Sequence, residues 1–150
     1  MGLKELYSEA VKDEWLDPYG HMNEGYYLVA FANAAWAFCD RFGVGAKYFG
    51  RTGCGVYTLE THLRYLKEVH APAVLDMEAM VFETDTKRCR YGMIMRVGGE
   101  ECATFECVML HFDSKAGRAS PLPDATFAAL QSAQVADLPD WAGRSIALKK

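Results

Sequence analysis

The sequence lacks the marks of secreted, membrane-spanning and nucleic-acid-binding proteins. Its five cysteines are an odd number and none lies in a C-x-x-C pair, so we expect free thiols rather than a disulfide framework. The first residues carry no apolar signal region, which together with the free thiols predicts a cytoplasmic setting. The most apolar stretch, Tyr26 to Cys39, is about 14 residues long, and about 20 are needed to cross a bilayer. No membrane span is therefore expected.

Basic residues are too few for nucleic acid to be the main partner. The 16 lysines and arginines are outnumbered by 20 acidic residues, whereas nucleic-acid-binding domains are usually basic. The sequence also has no internal repeat, low-complexity block or domain linker. A chain of 150 residues can bury a proper core. We predict one domain over residues 1–150, with a core from about 5 to 113 and a C-terminal helix from about 124 to 136.

One stretch of the chain is too apolar to be a surface helix. Between Tyr26 and Cys39 the only polar residue is Asn33. A helix that is apolar all round and too short to span a membrane is wrapped by protein on most sides. Asn23 is a suitable N-cap and Gly43 a suitable residue to end the helix. The sequence therefore predicts a central, buried helix.

A polar turn leads directly into this helix. Asp17, His21, Asn23 and Glu24 all lie within it. The N-terminus of a helix carries unpaired N–H groups and a partial positive charge. A carboxylate, an imidazole and an amide at such a position indicate a functional site, although an aspartate before a proline is also a common turn residue.

After a loop predicted for Gly50 to Gly55, the hydrophobic period changes from 3.6 to 2. The alternation predicts strands over 56–66, 74–83, 88–97 and 101–112, in addition to a short strand over 7–11. In the first long strand Tyr57 and Leu63 fall on one face, and Glu60 and His62 fall on the other. Short turns allow the strands to pair antiparallel around the helix, which gives an α+β fold with an exposed sheet edge that calls for a partner chain.

This order of elements is that of the hotdog fold, an antiparallel sheet wrapped around a long central helix. The motif D-P-Y-G-H-M-N-E-G-Y-Y, residues 17–27, resembles the 4-hydroxybenzoyl-CoA thioesterase-like group of acyl-CoA hydrolases. The positions of that group's motif are occupied here by Asp17, Gly20, His21, Asn23 and Tyr27. The resemblance covers about residues 5–113 and implies hydrolysis of an acyl-CoA thioester.

One branch of this group is more similar. G-H-M-N-E at 20–24 and Y-T-L-E-T-H-L-R-Y-L-K-E-V at 57–69 resemble the thioesterases found with, or fused to, L-carnitine dehydrogenase. That branch is thought to hydrolyse betainyl-CoA to betaine and CoA in carnitine degradation. Glu24 stands where the commoner group pattern frequently has a second Asn, and it matches this branch.

The resemblance and the residue types together predict catalytic roles for Asp17, His21, Asn23 and Glu60. Asp17 would act as a general base or as a nucleophile through an anhydride. Backbone N–H groups near Asn23 and Glu24 would stabilise the oxyanion. His21 would orient Asp17 or hold the attacking water, and Glu60 would come from a second copy of the chain.

We expect the acyl group and CoA to contact further residues. The predicted substrate-binding residues are Trp15, Tyr19, Glu24, Tyr27, Tyr57 and His62. Some of Trp15, Tyr19 and Tyr57 would line a trimethylammonium pocket, because aromatic cages bind quaternary ammonium groups, although aromatic residues are also ordinary core filling. Lys87, Arg88 and Arg90 are candidates for the CoA phosphates.

Two other functions fit the same residues. A hotdog dehydratase or hydratase acting on an enoyl or hydroxyacyl thioester needs a histidine paired with an acid, for which His21 with Asp17 or Glu24 would serve. A non-catalytic module would bind acyl-CoA without turnover. The leading prediction remains a thioesterase that needs no metal or cofactor, acts on acyl-CoA as a homodimer or homotetramer (a dimer of dimers), and binds neither nucleic acid nor membrane.

Overall fold

In a computed structural model, which describes residues 3–148, one antiparallel sheet curls around a long helix. The ends of the predicted 1–150 domain, residues 1–2 and 149–150, lie outside the described residues. The strands are β1 (Tyr7–Ala10), β2 (Cys54–Tyr65), β3 (Val74–Thr84), β4 (Arg88–Val97), β5 (Glu100–Asp113) and β6 (Arg118–Ala119), and the helices are α1 (Glu24–Arg41), α2 (Ala46–Thr52) and α3 (Asp124–Ala133). The strand order is β1-β3-β4-β5-β2, with the short β6 beside β5. The predicted central helix and all five predicted strands are present, with ends that differ by one or two residues, and the predicted C-terminal helix ends at Ala133 instead of about 136.

Helix α1 begins and ends where the sequence predicts. The Asn23 side chain accepts a hydrogen bond from the backbone N–H of Gly25, which is the N-cap geometry. At the other end Gly43 has a φ of 76°, a left-handed conformation in which glycine ends helices without steric cost.

One side of α1 fills the core. Phe31 stacks on Phe105 of β5 with ring centroids 4.9 Å apart, and Phe38 stacks on Tyr91 of β4 at 4.3 Å. Phe31 and Phe38 are both fully buried. These contacts hold the helix axis across the concave face of the sheet.

The opposite side of α1 is exposed in the described chain. Leu28, Val29 and Trp36 have 44%, 42% and 58% of their surface in contact with solvent. The expectation that protein surrounds this helix on most sides is therefore wrong for residues 3–148. Strand β1 and strand β2 end the sheet on either side, and the sheet does not extend far enough to cover this side of the helix.

A β-bulge at Leu59 changes the faces of β2. Leu63 pairs with Phe105 on the helix side of β5, whereas Tyr57 pairs with Leu110, which occupies the opposite face. The prediction that Tyr57 and Leu63 share a face is wrong, because a bulge inserts one residue and shifts the alternation by one. Tyr57 instead lies on the outer face of the sheet.

The prediction for the residues that follow the bulge is confirmed. Glu60 and His62 pair with alternate residues of β5, at 108 and 106. They lie together on the outer face, away from α1.

The segment between α1 and β2 is more ordered than the sequence suggests. We expected a loop from Gly50 to Gly55, but α2 continues to Thr52 and β2 begins at Cys54. The turn is confined to Gly53, which adopts a φ of 73°. Glycine-rich composition was therefore a misleading guide to this segment.

The segment that follows α3 packs on the sheet. Trp141 is 9% exposed and contacts Phe82 and Ile94 on the outer face of the sheet. Space for it comes from Gly92, where a Cβ would lie 2.4 Å from the Phe82 ring and 2.5 Å from the Trp141 ring. The backbone N–H of Gly143 then donates to the carboxylate of Glu106 at 2.8 Å.

Within residues 3–148, no helix is both long enough and apolar enough to cross a membrane.

Candidate active site

Asp17 lies in a tight turn whose geometry orients its carboxylate. Oδ1 accepts hydrogen bonds from the backbone N–H groups of Tyr19 at 2.9 Å and His21 at 3.4 Å. Gly20, with a φ of 83°, allows the chain to reverse. Oδ2 accepts no hydrogen bond from residues 3–148. One oxygen of Asp17 therefore stabilises the turn, and the other is available for chemistry.

Backbone hydrogen bonds fix this turn against its neighbours. Its two ends pair with each other at Leu16 and Met22. The N–H of Met22 also donates to the carbonyl of Val69 at 2.7 Å, and the N–H of Asn23 donates to the carbonyl of Trp15 at 2.8 Å. The first turn of α1 is thus held by segments on both sides of it.

The N-terminus of α1 offers one unpaired donor. The N–H of Asn23 is occupied by Trp15, and the N–H of Gly25 is occupied by the Asn23 side chain at 3.0 Å. The N–H of Glu24 has no acceptor within residues 3–148. Of the two donors that we predicted for an oxyanion, Asn23 is therefore already used and Glu24 is available.

The turn and the helix N-terminus line an open cleft of about 500 Å³. Six of the predicted site residues meet there, namely Asp17, Tyr19, His21, Asn23, Glu24 and Tyr27. The opposite wall is the segment Tyr65 to Glu68, which follows from the end of β2. The structure therefore brings the whole polar turn into one site.

The cleft is acidic. It contains the carboxylates of Asp17, Glu24 and Glu68, and its one lysine, Lys67, forms an ion pair with Glu100. A negatively charged cleft that is open to solvent attracts cationic groups.

His21 is paired with a carboxylate that the sequence analysis did not single out. Its Nε2 lies 2.8 Å from Oε2 of Glu68, and Oε1 of Glu68 lies 3.8 Å from Nε2 of His70. The alternative dehydratase or hydratase function would pair this histidine with Asp17 or Glu24 instead. The only sequence signal for Glu68 was its place in the Y57–V69 stretch, and the contact depends on how two distant segments pair.

The same three side chains are the group in the described part of the chain that could hold a metal ion. Ligand atoms of His21, Glu68 and His70 all lie within 4.8 Å of one another. Two imidazoles and a carboxylate are a ligand set that zinc accepts. In this geometry His21 and Glu68 already contact each other directly. The three side chains are therefore compatible with an ion pair as well as with a metal site.

Tyr27 and Tyr65 form the aromatic part of the cleft. Their rings meet edge to face with centroids 5.0 Å apart. The hydroxyl of Tyr27 donates to the carbonyl of Lys67 at 3.0 Å, and that of Tyr65 donates to the carbonyl of Glu24 at 3.2 Å. Burial, followed by smaller effects of Cys102 and Tyr65, raises the pKa of Tyr27 to about 12. Tyr27 is therefore a protonated hydrogen-bond donor at neutral pH.

Several predicted site residues lie outside the cleft of their own chain. Trp15 is buried and stacks on Tyr26 at 5.5 Å, so it lies beneath the cleft rather than in it. Tyr57 stacks on Phe112 on the outer face of the sheet. Neither of these two aromatic side chains can reach a ligand in the cleft of the same chain.

Glu60 and His62 line a different cavity. It has a volume of about 530 Å³ on the outer face and also contains Arg90 and Glu106. A contribution of Glu60 to the Asp17 site therefore requires a second copy of the chain.

The three predicted CoA-binding residues differ in availability. Arg88 forms an ion pair with Asp85 at 2.6 Å, and Arg90 contacts Glu106 at 2.7 Å and Glu83 at 3.5 Å. Lys87 is exposed and forms no ion pair within residues 3–148. Lys87 is therefore the member of this group whose charge is available to a phosphate.

Comparison with known proteins identifies similar chains. Residues 11–130 match the family model described as the Thioesterase-like superfamily. A hypothetical protein from Staphylococcus aureus, whose structure was solved in complex with CoA, superimposes with a TM-score of 0.87 at 22% identity, over 95% of this chain and 94% of that one. The expected hotdog fold is thereby confirmed.

Two curated relatives are similar in sequence along most of the chain. The L-carnitine dehydrogenase/betainyl-CoA thioesterase of Agrobacterium fabrum is 38% identical over 94% of this chain, but the match covers only 30% of the relative. The betainyl-CoA thioesterase of Pseudomonas aeruginosa PAO1 is 27% identical, over 95% of this chain and 93% of the relative. The chain thus spans about a third of the length of the two-function relatives that it matches.

The raised pKa of Tyr27 predicts a specific loss of stability at high pH. A phenol whose pKa is higher in the folded than in the unfolded chain stabilises the fold fully below pH 10, and this contribution is lost as the pH rises toward about 12. The free energy of unfolding should therefore fall more steeply above pH 10 in the unaltered protein than in Tyr27→Phe.

Urea unfolding at a series of pH values from about 8 to 11.5 measures the difference. The other titrating groups are common to both proteins and cancel. At pH 8 the variant should be less stable by about 1 kcal/mol, because it lacks the hydrogen bond to Lys67. Parallel curves would contradict the assignment.

Proposed function

The chain belongs to the Thioesterase-like superfamily, and from this premise we propose that it hydrolyses an acyl-CoA thioester in the cleft at the N-terminus of α1. The observation that carries the proposal is that the two kinds of group needed for thioester hydrolysis lie in one cleft. Asp17 has an available Oδ2, and Glu24 has an available backbone N–H, both on the wall of the same cleft. Thioester hydrolysis needs both a base or nucleophile and an oxyanion donor.

In this mechanism Asp17 activates water, or attacks the thioester carbonyl itself and forms an anhydride that water then cleaves. The hydrogen bonds from Tyr19 and His21 to Oδ1 leave Oδ2 as the reacting oxygen. The oxyanion of the tetrahedral intermediate accepts from the N–H of Glu24 and is stabilised by the partial positive charge of the helix. The C–S bond then breaks, and the CoA thiolate takes up the proton that the attacking water has lost.

Substitution of the reacting carboxylate tests this assignment. Asp17→Asn keeps an oxygen that accepts from the turn but removes the base and nucleophile, so kcat should fall by at least about 10²-fold. Release of free thiol from acetyl-, benzoyl-, long-chain and betainyl-CoA measures turnover.

Asp13→Asn is the matched control, because Asp13 is an exposed aspartate outside the cleft on the same segment. It should retain full turnover. Normal turnover in Asp17→Asn would rule out the role assigned to Asp17.

We further propose betainyl-CoA as the preferred substrate. Two similar proteins carry that activity in their names. The cleft here combines three carboxylates, Asp17, Glu24 and Glu68, with the aromatic rings of Tyr19, Tyr27 and Tyr65. Carboxylates and aromatic faces are the groups that stabilise a quaternary ammonium ion. Within one chain Tyr65 therefore lines this pocket, whereas Trp15 and Tyr57, which we predicted from the sequence, do not.

A neutral substrate of the same shape isolates the contribution of charge. In 3,3-dimethylbutyryl-CoA a carbon replaces the ammonium nitrogen of the betainyl group. The unaltered protein should prefer betainyl-CoA in kcat/KM. Glu24→Gln removes one carboxylate and should reduce this preference by about 5- to 10-fold, the effect of roughly 1 kcal/mol from one partly exposed charge.

Glu9→Gln is the control, because Glu9 pairs with Asn33 away from the cleft. Its preference for the charged substrate should be unchanged. A preference that stays the same in Glu24→Gln would contradict recognition by charge at this position.

We propose that the working form contains at least two copies, in which Glu60 of one chain completes the site of the other. Two observations support it. Within residues 3–148 strand β2 pairs only with β5, and it exposes residues 57–61 in succession. An unpaired strand edge is a template for another strand.

Mixing two inactive variants tests whether the site is shared. If Glu60 acts in trans, a refolded mixture of Asp17→Asn and Glu60→Gln contains hybrid dimers with one intact site each. About a quarter of the unaltered activity should return, since half the dimers are hybrids and each has one working site of two.

No recovery in the mixture would place Glu60 outside the shared site. Full activity of Glu60→Gln alone would remove it from catalysis.

The proposal also includes a contact to the CoA phosphates and a cellular compartment. Lys87 is the candidate contact to a CoA phosphate, because its charge is available while Arg88 and Arg90 are paired. The five cysteines are all free thiols, which supports function in the reducing cytoplasm.

A further inference from the structure

We propose that Glu68 is a positioning residue of this site: it holds the imidazole of His21 in one orientation and one tautomer, so that Nδ1 is the proton-accepting nitrogen. This inference rests on the proposed thioesterase function and assigns to Glu68 a role in it. Glu68 acts through His21 and is not itself required to touch the substrate.

The backbone around the two side chains is fixed. The hydrogen bond from the N–H of Met22 to the carbonyl of Val69, 2.7 Å long, joins the residue after His21 to the residue after Glu68. Val69 is 2% exposed, so this connection lies in the core. The contact of 2.8 Å between Nε2 of His21 and Oε2 of Glu68 is therefore supported by two segments that cannot move apart independently.

The chemistry of the pair assigns the proton. An ionised carboxylate only accepts hydrogen bonds, so Nε2 of His21 must carry the hydrogen that points to Glu68. In the neutral imidazole the other nitrogen, Nδ1, is then an acceptor. Nδ1 makes no hydrogen bond within residues 3–148, and it can accept a hydrogen from water in the cleft that it shares with Asp17.

His70 restricts the ring further. It meets His21 edge to face with centroids 4.9 Å apart, and its Nε2 lies 3.8 Å from the other oxygen of Glu68. The titratable and charged groups around His21 are therefore Asp17, Glu24, Glu68, Lys67 and His70. Of these, Glu68 is the one in hydrogen-bond contact with the ring.

Kinetics separate a positioning role from a surface ion pair. Glu68→Ala should lower kcat for betainyl-CoA by about 10-fold and leave KM within about 2-fold, because orientation of a catalytic group affects the chemical step. Glu68→Gln keeps an oxygen that can accept from Nε2, so its kcat should lie between those of Glu68→Ala and the unaltered protein. In a His21→Ala background, Glu68→Ala should have no further effect, since it acts through the ring.

A further variant controls for loss of a nearby ion pair. Glu100→Ala removes the partner of Lys67. It should keep kcat within about 2-fold. An unchanged kcat in Glu68→Ala, or an equal fall in Glu100→Ala, would overturn the inference.

A spectroscopic measurement tests the tautomer without any substrate. In protein labelled with ¹⁵N at its four histidines, the ring signals of His21, assigned by their loss in His21→Ala, should show the hydrogen on Nε2. In Glu68→Ala they should shift toward a mixture of tautomers. A mixture already present in the unaltered protein would overturn the inference, even if the protein proved to have no thioesterase activity.

Chelation distinguishes positioning from metal binding by the same side chains. Dialysis against EDTA should leave both turnover and the tautomer signals unchanged. Loss of activity that Zn²⁺ restores would make Glu68 a metal ligand and overturn the positioning role.

Discussion

The site depends on where the N-terminus of α1 is held. Stacking of Phe31 and Phe38 on the sheet fixes the axis of the helix, but it does not fix the chain that leads into it. Two backbone bonds do so, from Asn23 to Trp15 and from Met22 to Val69. With these donors and the N–H of Gly25 occupied, Glu24 is left, within residues 3–148, as the unpaired N–H at the positive end of the helix, beside the carboxylate of Asp17.

The features of the fold and the site that depend on residues close together in the sequence could be predicted from the sequence. The ends of α1 follow from the capping side chain of Asn23 and the left-handed conformation of Gly43, and each acts within a few residues. The strands follow from a period of two, and the burial of β3 alternates in agreement with it over most of its length. The six residues of the polar turn and first helical turn form one wall of the cleft because they are neighbours in the chain.

The parts that depend on contacts between distant segments could not be predicted. A bulge at Leu59 leaves no trace in hydrophobic alternation, yet it moves Tyr57 to the other face of the sheet. Glu68 is 47 positions from His21, and only the pairing of Met22 with Val69 brings them together. The exposed side of α1 could not be predicted for the same reason. Its apolar composition indicates that the helix is covered by protein, but it does not indicate whether the same chain or a second chain covers it.

That exposed side connects the stability of the protein to the proposed second copy. Trp36 and Leu28 on α1 and Leu59 at the edge of β2 are all large, apolar and exposed, and each gains free energy when its surface leaves water. Leu59 is adjacent to Glu60, so a partner that covers this surface also moves a carboxylate toward another chain. The bulge exposes Leu59 and sets the face of Glu60 in a single step. One irregularity in the edge strand can therefore serve both association and the assembly of a complete site.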